Sequence, residues 1–385
     1  MAEIAQSVAF LEYFSGLADP RQAGKILYPL DEIMLLVLCG EVAGAEGFPD
    51  IALWGGLHLD FLRRFLPFQR GIPSHDALND LFNALDHDAF RDNFVTWAES
   101  LRTAGPDLSG PEVVAIDGKT SRRSGDKGKG RAALHMVSAW ASEQRLVLGQ
   151  EAIDAKENEI VAIPRLLEVL ELKGALVTID AMGCQKAIAK TIRDRGADYL
   201  LPVKGNQPSL REDIDLFFTE QRACGFADAK ALFHQTVDAD HGRVEIRRHY
   251  STSDIDWLKE RHDWTGLASI GLIEREVERN GKTELTRHLY ISSLPADAIL
   301  LARAARSHWH IENRLHWVLD VLFHDDLCRL RSGNGPQNFA VVRHIALNLL
   351  KNAKGKNSLK GTRKAAGWSP DFLQTVITAT DQRVP

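Results

Sequence analysis

The 385-residue chain has only four cysteines, Cys39, Cys184, Cys224 and Cys328, scattered and without a CxxC pair. That leaves little room for a zinc ribbon or a disulfide framework, and it fits a reducing compartment. Long apolar runs are also missing: the stretch 33–42 falls far short of the roughly 20 residues that span a bilayer. The first residues, MAEIAQSVAFLEYF, lack the basic n-region of a signal peptide. The expected location is therefore the cytoplasm, with no membrane partner. Positive charge is not in excess either. Acidic residues outnumber basic ones 52 to 47, for a net charge of -5. A nucleic-acid-binding domain is often strongly basic, so the whole-chain sum speaks weakly against one. No HExxH occurs, which removes most support for a zinc protease.

What is present is an ordinary globular composition, 44% hydrophobic and 26% charged, long enough for two to three domains. Residues 1–105 read as a separate helical domain, with breaks at Pro20, Pro49, Pro67 and Pro73 and a helix start after Ser74. From Pro111 the texture changes. Apolar runs at 113–117, 134–140, 145–153, 176–180 and 199–203 read as strands. A helix from Pro164 to Gly174 and another from Gln185 to Gly196 lie between the later ones. Pro202 marks the last of these strands as an edge. This places the first part of an α/β core at 106–205. Residues 206–294 read as a β-rich insertion with Asn280-Gly281 as a hairpin turn. Helices return over 295–352, and 353–385 reads as a basic C-terminal tail. Residues 351–370 hold six Lys/Arg and no acid.

Asp117 and Asp180 each close an apolar run of the kind found in buried central strands. Ligands of open α/β sheets bind beyond the carboxyl ends of such strands. Two neighbouring carboxylates repel unless a proton or a cation is shared between them, and oxygen-rich sites suit Mg²⁺ or Mn²⁺. Each Asp could equally open a turn or cap a helix. Further along, His308, Glu312, His316, Asp320 and His324 recur every four residues, opposite Leu315, Val318, Leu319 and Leu322. This is either a solvated helix face or one wall of a site.

The segments AIDGKTSRRS, LHMVSAW, KENEIVAIPRLLEVLELKGALVTIDAMGCQKAIA, DYLLPVKGNQP and HWHIENRLHWVLDVLFHDD occur in that order. Together they resemble the DDE transposases of bacterial insertion sequences, in particular the As-one group with its H-repeat-associated proteins. FSGLADPRQAGKILYPL and FLPFQRGIPSHDALNDLFNALD resemble that family's associated helical domain, so the resemblance covers nearly the whole chain and implies DNA binding by the N-terminal helices. It implies an RNase H-like core, a mixed sheet with flanking helices, with the β-rich insertion placed before the final acidic helix. It assigns Asp117, Asp180 and Glu312 as the catalytic, metal-holding triad. Two Mg²⁺ or Mn²⁺ ions there would clamp the attacking and leaving oxygens of an in-line displacement. The implied reaction cuts double-stranded DNA at terminal inverted repeats and joins the 3′-OH to target DNA, with a homodimer on paired ends. Related transposases often carry an Arg and a Lys around the Glu, where this chain has His308 and Leu319. Glu157 stands where the group usually has Ser. The other reading is a catalytically silent relative that only binds DNA.

DNA contacts are expected from Lys119, Arg122, Arg123, Lys127, Lys129 and Arg131 in a Gly-rich loop after Asp117. Lys204, Asn206 and Gln207 after the last strand, Arg306, His308 and His316 near Glu312, and the basic tail add to these. Trp309 and Trp317 are read as helix-packing residues rather than base-stacking platforms.

Overall fold

The computed structural model describes residues 8–105, 110–126, 128, 130–154, 157–240, 243–279 and 282–378. Six helices come first: α1 (Ala9–Phe14), α2 (Leu30–Ala43), α3 (Phe48–Leu57), α4 (Leu59–Leu62), α5 (His75–Ala84) and α6 (His87–Thr103). Ser74 and Asp86 cap α5 and α6 by accepting from the N–H groups of Ala77 and Ala89. α2 is apolar almost all round and is buried accordingly, with Leu35, Leu36 and Val37 fully covered.

The remaining elements are β1 (Val113–Ser121), β2 (Leu134–Ala141), β3 (Leu146–Ile153), α7 (Glu159–Val169), β4 (Leu176–Ile179), α8 (Lys186–Asp194) and β5 (Asp198–Val203). They continue with α9 (Pro208–Ala223), β6 (Ala231–Asp240), β7 (Arg243–Thr252), α10 (Asp256–Arg261), β8 (Ser269–Arg279) and β9 (Lys282–Ser292). Helices α11 (Ala298–His308), α12 (Trp317–Leu322), α13 (Gly335–Asn352), α14 (Leu359–Trp368) and α15 (Pro370–Thr378) follow. One nine-stranded sheet runs β3-β2-β1-β4-β5-β9-β8-β7-β6. β1, β2 and β3 form an antiparallel meander, while β1-β4 and β4-β5 pair in parallel.

Several readings of the sequence need correction. β5 is not an edge: Pro202 lies past Leu200, the last residue paired with β4, and opposite Tyr290 of β9. The segment 206–294 opens with α9, and the four strands of this β-rich insertion prolong the core sheet beyond β5. The Asn280-Gly281 turn lies outside the described residues, although Arg279 and Lys282 pair beside it. Pro164 sits inside α7 rather than at its start, where Asn158 stands. The C-terminal segment folds through residue 378. α14 and α15 pack on α2, where Arg363 stacks on Phe323 and donates to the Glu41 carbonyl. Lys351 is likewise turned inward, its ammonium 3.7 Å from the centre of the Trp140 ring. The apolar core of the N-terminal helices runs without a break into that of the sheet and of α13 to α15. α13 also closes the outer edge of β3, because the Asn348 side-chain amide both donates to and accepts from the Val147 backbone.

Candidate functional site

β1 pairs with β4 only from Val113 to Ile116, yet with β2 as far as Ser121. Asp117 therefore stands in mid-strand, at the point where β4 has ended and its side of β1 lies open. Asp180 is the first residue past β4. Its Oδ1 accepts from the Gly183 N–H and caps a single 3-10 turn. The turn-capping role and a place at the strand end are thus both true of Asp180, since that bond engages one of its two carboxylate oxygens.

Glu312 comes from the far end of the chain and is near enough to repel the Asp117 carboxyl. α11 lies across β1, β4 and β5, and its continuation makes a π-helical turn at Glu312–His316 before α12. A π turn closes its backbone hydrogen bond one residue later than an α turn. Single π turns recur at functional sites. Here the turn leaves Glu312 exposed, whereas His316 points inward with its Nδ1 3.6 Å from Asp117 Oδ2. His308, at the end of α11, meets Thr178 of β4 at 3.2 Å. His324 leaves the stripe: it adopts a left-handed backbone and faces Glu46.

The electrostatics are those of crowded negative charge. The Asp117 carboxyl is pushed up to about 7, first by burial and then by repulsion from Glu159, Asp180 and Glu312, against the pull of the Gly118 N–H. The His316 ring is driven down to about 4 by burial and by the nearby Lys119, so it is neutral at pH 7 and cannot offset that charge. Burial and Lys204 hold His308 down to about 4 as well.

A second acidic group, Asp320, Asp325 and Asp326, has the spacing of a cation site. It already holds a cation of the chain itself. Lys119 Nζ lies 2.6, 3.2 and 3.5 Å from the three carboxylates. Arg343 Nη1 adds a bond of 2.6 Å to Asp325. The two clusters differ in this respect. Asp117 has no Lys or Arg ion-pair partner among the described residues, whereas the Asp320 group is internally neutralised.

The expected DNA contacts sort into two sets. Lys119 is largely covered and committed to the three aspartates, so it is a strut between β1 and α12. Asn206 donates to the Ala181 and Cys184 carbonyls and Gln207 to that of Cys184, so these amides brace the turn after Asp180. His308 and His316 are turned into the protein. Arg122, Arg123, Arg131 and Lys204 remain exposed, as does Arg306, which lies 3.5 Å from Asp238. Lys127 and Lys129 lie outside the described residues. Trp309 and Trp317 are 57% and 58% exposed, on either side of Glu312, so neither is a packing residue. Glu157 accepts from Arg165 Nη2 at 2.8 Å. Sequence reasoning passed over Glu159 and His135. Glu159 Oε1 meets His135 Nε2 at 2.7 Å, and His135 Nδ1 meets Thr120 Oγ1 at 2.5 Å. The visible signal was a carboxylate opening α7 and a histidine opposite Thr120 on β2.

A β3-β2-β1-β4-β5 sheet with carboxylates at the open end of β1 and β4, and a third on a late helix, is an RNase H-like fold. The transposase DDE domain model matches residues 108–349, and the DDE_Tnp_1-associated model matches residues 11–98. The chain belongs to the DDE transposase family. It is 37% identical to the H repeat-associated putative transposase YhhI of Escherichia coli K12, over 96% of this chain and 98% of that protein. It is 38% identical to the putative transposase YncI of Escherichia coli O157:H7, over 97% of this chain and 95% of that protein. A shorter relative, the inactive transposase YbfQ of Escherichia coli K12, is 44% identical over 18% of this chain and 81% of its own length. Among the described residues, no helix is long and apolar enough to cross a membrane.

Proposed function

We propose that the chain is an active transposase that cuts double-stranded DNA at the terminal inverted repeats of its element and joins the freed 3′-OH to target DNA. Asp117, Asp180 and Glu312 would hold two Mg²⁺ or Mn²⁺ ions, and a homodimer would pair the two ends. The observation that carries this reading is the concentration of carboxylates at Asp117 with no Lys or Arg of the described chain to neutralise it. A bound divalent pair would supply charge for the attacking and leaving oxygens of phosphodiester exchange.

The chain's own residues supply the rest. Gly183 orients one Asp180 oxygen, and the Asn206 and Gln207 amides hold the turn that carries it. The π turn presents Glu312 to solvent, where a duplex end can approach. Exposed Trp309 and Trp317 offer π faces to bases that leave the stack. Lys204, Arg122, Arg123 and Arg306 supply exposed positive charge for phosphates. The test is cleavage and strand transfer on a labelled duplex bearing the flanking inverted repeat, with Mg²⁺. Asp117→Asn, Asp180→Asn and Glu312→Gln should each abolish both products. Retained cleavage in these variants overturns the assignment. A wild-type chain that binds the repeat and never cuts it would be the silent relative.

A further inference from the structure

The segment 351–370 carries six Lys/Arg and no acid, in a chain with 52 acids among 385 residues. The fold divides those cations. Lys351 and Arg363 are turned inward, each against an aromatic ring. Lys356, Lys360 and Lys364 are exposed, and none of the three has an ion-pair partner among the described residues.

The helix α14 sets them in a line. Side chains four apart stay on one side of a helix. Lys360, Lys364 and Trp368 make such a stripe, and Lys356 stands in the turn before it. Thr362, Arg363 and Ala366 are buried on the opposite side. Lys364 Nζ lies 5.9 Å from the centre of the Trp368 ring, and Trp368 is 78% exposed. Like charges four apart on an exposed helix destabilise it, so the stripe does not serve the stability of α14. The first acid beyond it, Asp371, already accepts from Arg64 at 3.2 Å.

The base under the stripe is fixed. Arg363 donates to the Glu41 carbonyl of α2 and to the Leu322 carbonyl at the end of α12. α14 is thereby tied both to the N-terminal helices and to the helix that follows the Glu312 turn.

We propose that Lys356, Lys360, Lys364 and Trp368 form a binding surface for the phosphate backbone of double-stranded DNA, distinct from the residues around Asp117. The charge fits a polyanion. The lysines meet phosphates as point charges, and the indole, apolar in body with one N–H donor, suits a sugar-phosphate edge. Such contacts position a duplex without reading its sequence. Through Arg363, a duplex gripped by α14 keeps a set position relative to α12. The inference rests on the DNA-binding reading above and adds a surface that takes no part in the chemical step.

The test is binding of the full-length chain to labelled duplexes, with and without the inverted repeat, at several salt concentrations and without divalent ions. Lys356→Gln, Lys360→Gln and Lys364→Gln combined should lower the slope of log affinity against log salt by roughly 2.7, for three phosphate contacts. The loss should be equal on the two duplexes, with the melting temperature not lowered. Trp368→Ala should weaken binding severalfold and leave the slope alone. In the wild type, bound duplex should shield the three lysines from acetylation, read by mass spectrometry, a measurement that needs no variant. If slope and shielding are both unaffected while Arg122→Ala with Arg123→Ala lowers the slope, the stripe faces another partner, such as an acidic protein segment. The inference then fails and the DNA-binding reading stands. A wild-type chain that binds neither duplex overturns both.

Discussion

Replacing Asp325 with Ala should destabilise the protein far more than breaking an ion pair of similar length on its surface. Asp325 follows the helix that carries Glu312, and its side chain is 6% exposed. It accepts from Arg343 Nη1 at 2.6 Å and from Ser121 Oγ at 2.5 Å, with Lys119 Nζ at 3.2 Å. Arg343, 3% exposed, is left with Glu41 at 3.9 Å, and Glu41 in turn meets Arg363. The network therefore ties β1, α13, α2 and α14 behind the site. Removing one partner of a buried pair leaves an uncompensated charge and costs about 3–5 kcal/mol. The control is Asp194→Ala, which breaks the Lys190–Asp194 pair of 2.5 Å whose side chains are 63% and 58% exposed. Such i,i+4 surface pairs are worth about 0.3–0.5 kcal/mol. Urea unfolding followed by circular dichroism and tryptophan fluorescence measures both. Burial works to raise the Asp325 pKa, but Arg343, Lys119 and Ser121 outweigh it and hold it below the ordinary 3.8. Its stabilisation is therefore complete above the unfolded-state value and is lost as pH falls through the lowered folded one. The gap between wild type and Asp325→Ala should stay open at neutral pH and narrow only below about pH 4. Equal costs for Asp325→Ala and Asp194→Ala would refute the claim that burial makes this network matter.

Two further predictions separate surface contacts from struts. Arg122→Ala with Arg123→Ala should reduce the salt dependence of DNA binding by about two phosphate contacts, a slope change of roughly 1.8. Lys119→Ala should leave that slope alone and lower the melting temperature, and an unchanged slope in the arginine variant removes this turn from the interface. Trp309→Ala and Trp317→Ala should each weaken binding to a duplex with unpaired ends by about 1–3 kcal/mol without moving the melting temperature. A loss of thermal stability would show that the indoles pack after all.

The pattern of strands was legible because apolar runs ending in Asp117 and Asp180 mark central strands. The four-residue stripe from His308 to Asp320 marked the helix that meets them. Local pattern could not show that β9 pairs with β5, since register over long sequence separations is set by packing and not by the residues of one strand. It also misjudged charge. Lys119, Lys351 and Arg363 look like surface cations in a list of basic residues, yet each is drawn inward by a partner distant in sequence. Trp309 and Trp317 erred the other way, because an aromatic at helical spacing is as compatible with an exposed face as with a buried one.

By itself, then, the sequence determined the order of elements and the family, and it singled out Asp117, Asp180 and Glu312 as the acids to test. Those follow from periodicity and from motifs whose spacing survives in one dimension. Only the tertiary structure decided which acids are neutralised and which are not. Asp320, Asp325 and Asp326 close around Lys119, while Asp117 is left repelled by Glu159, Asp180 and Glu312 with no Lys or Arg ion-pair partner among the described residues. Coulomb energy depends on distance and burial, and neither can be read from a net charge of -5.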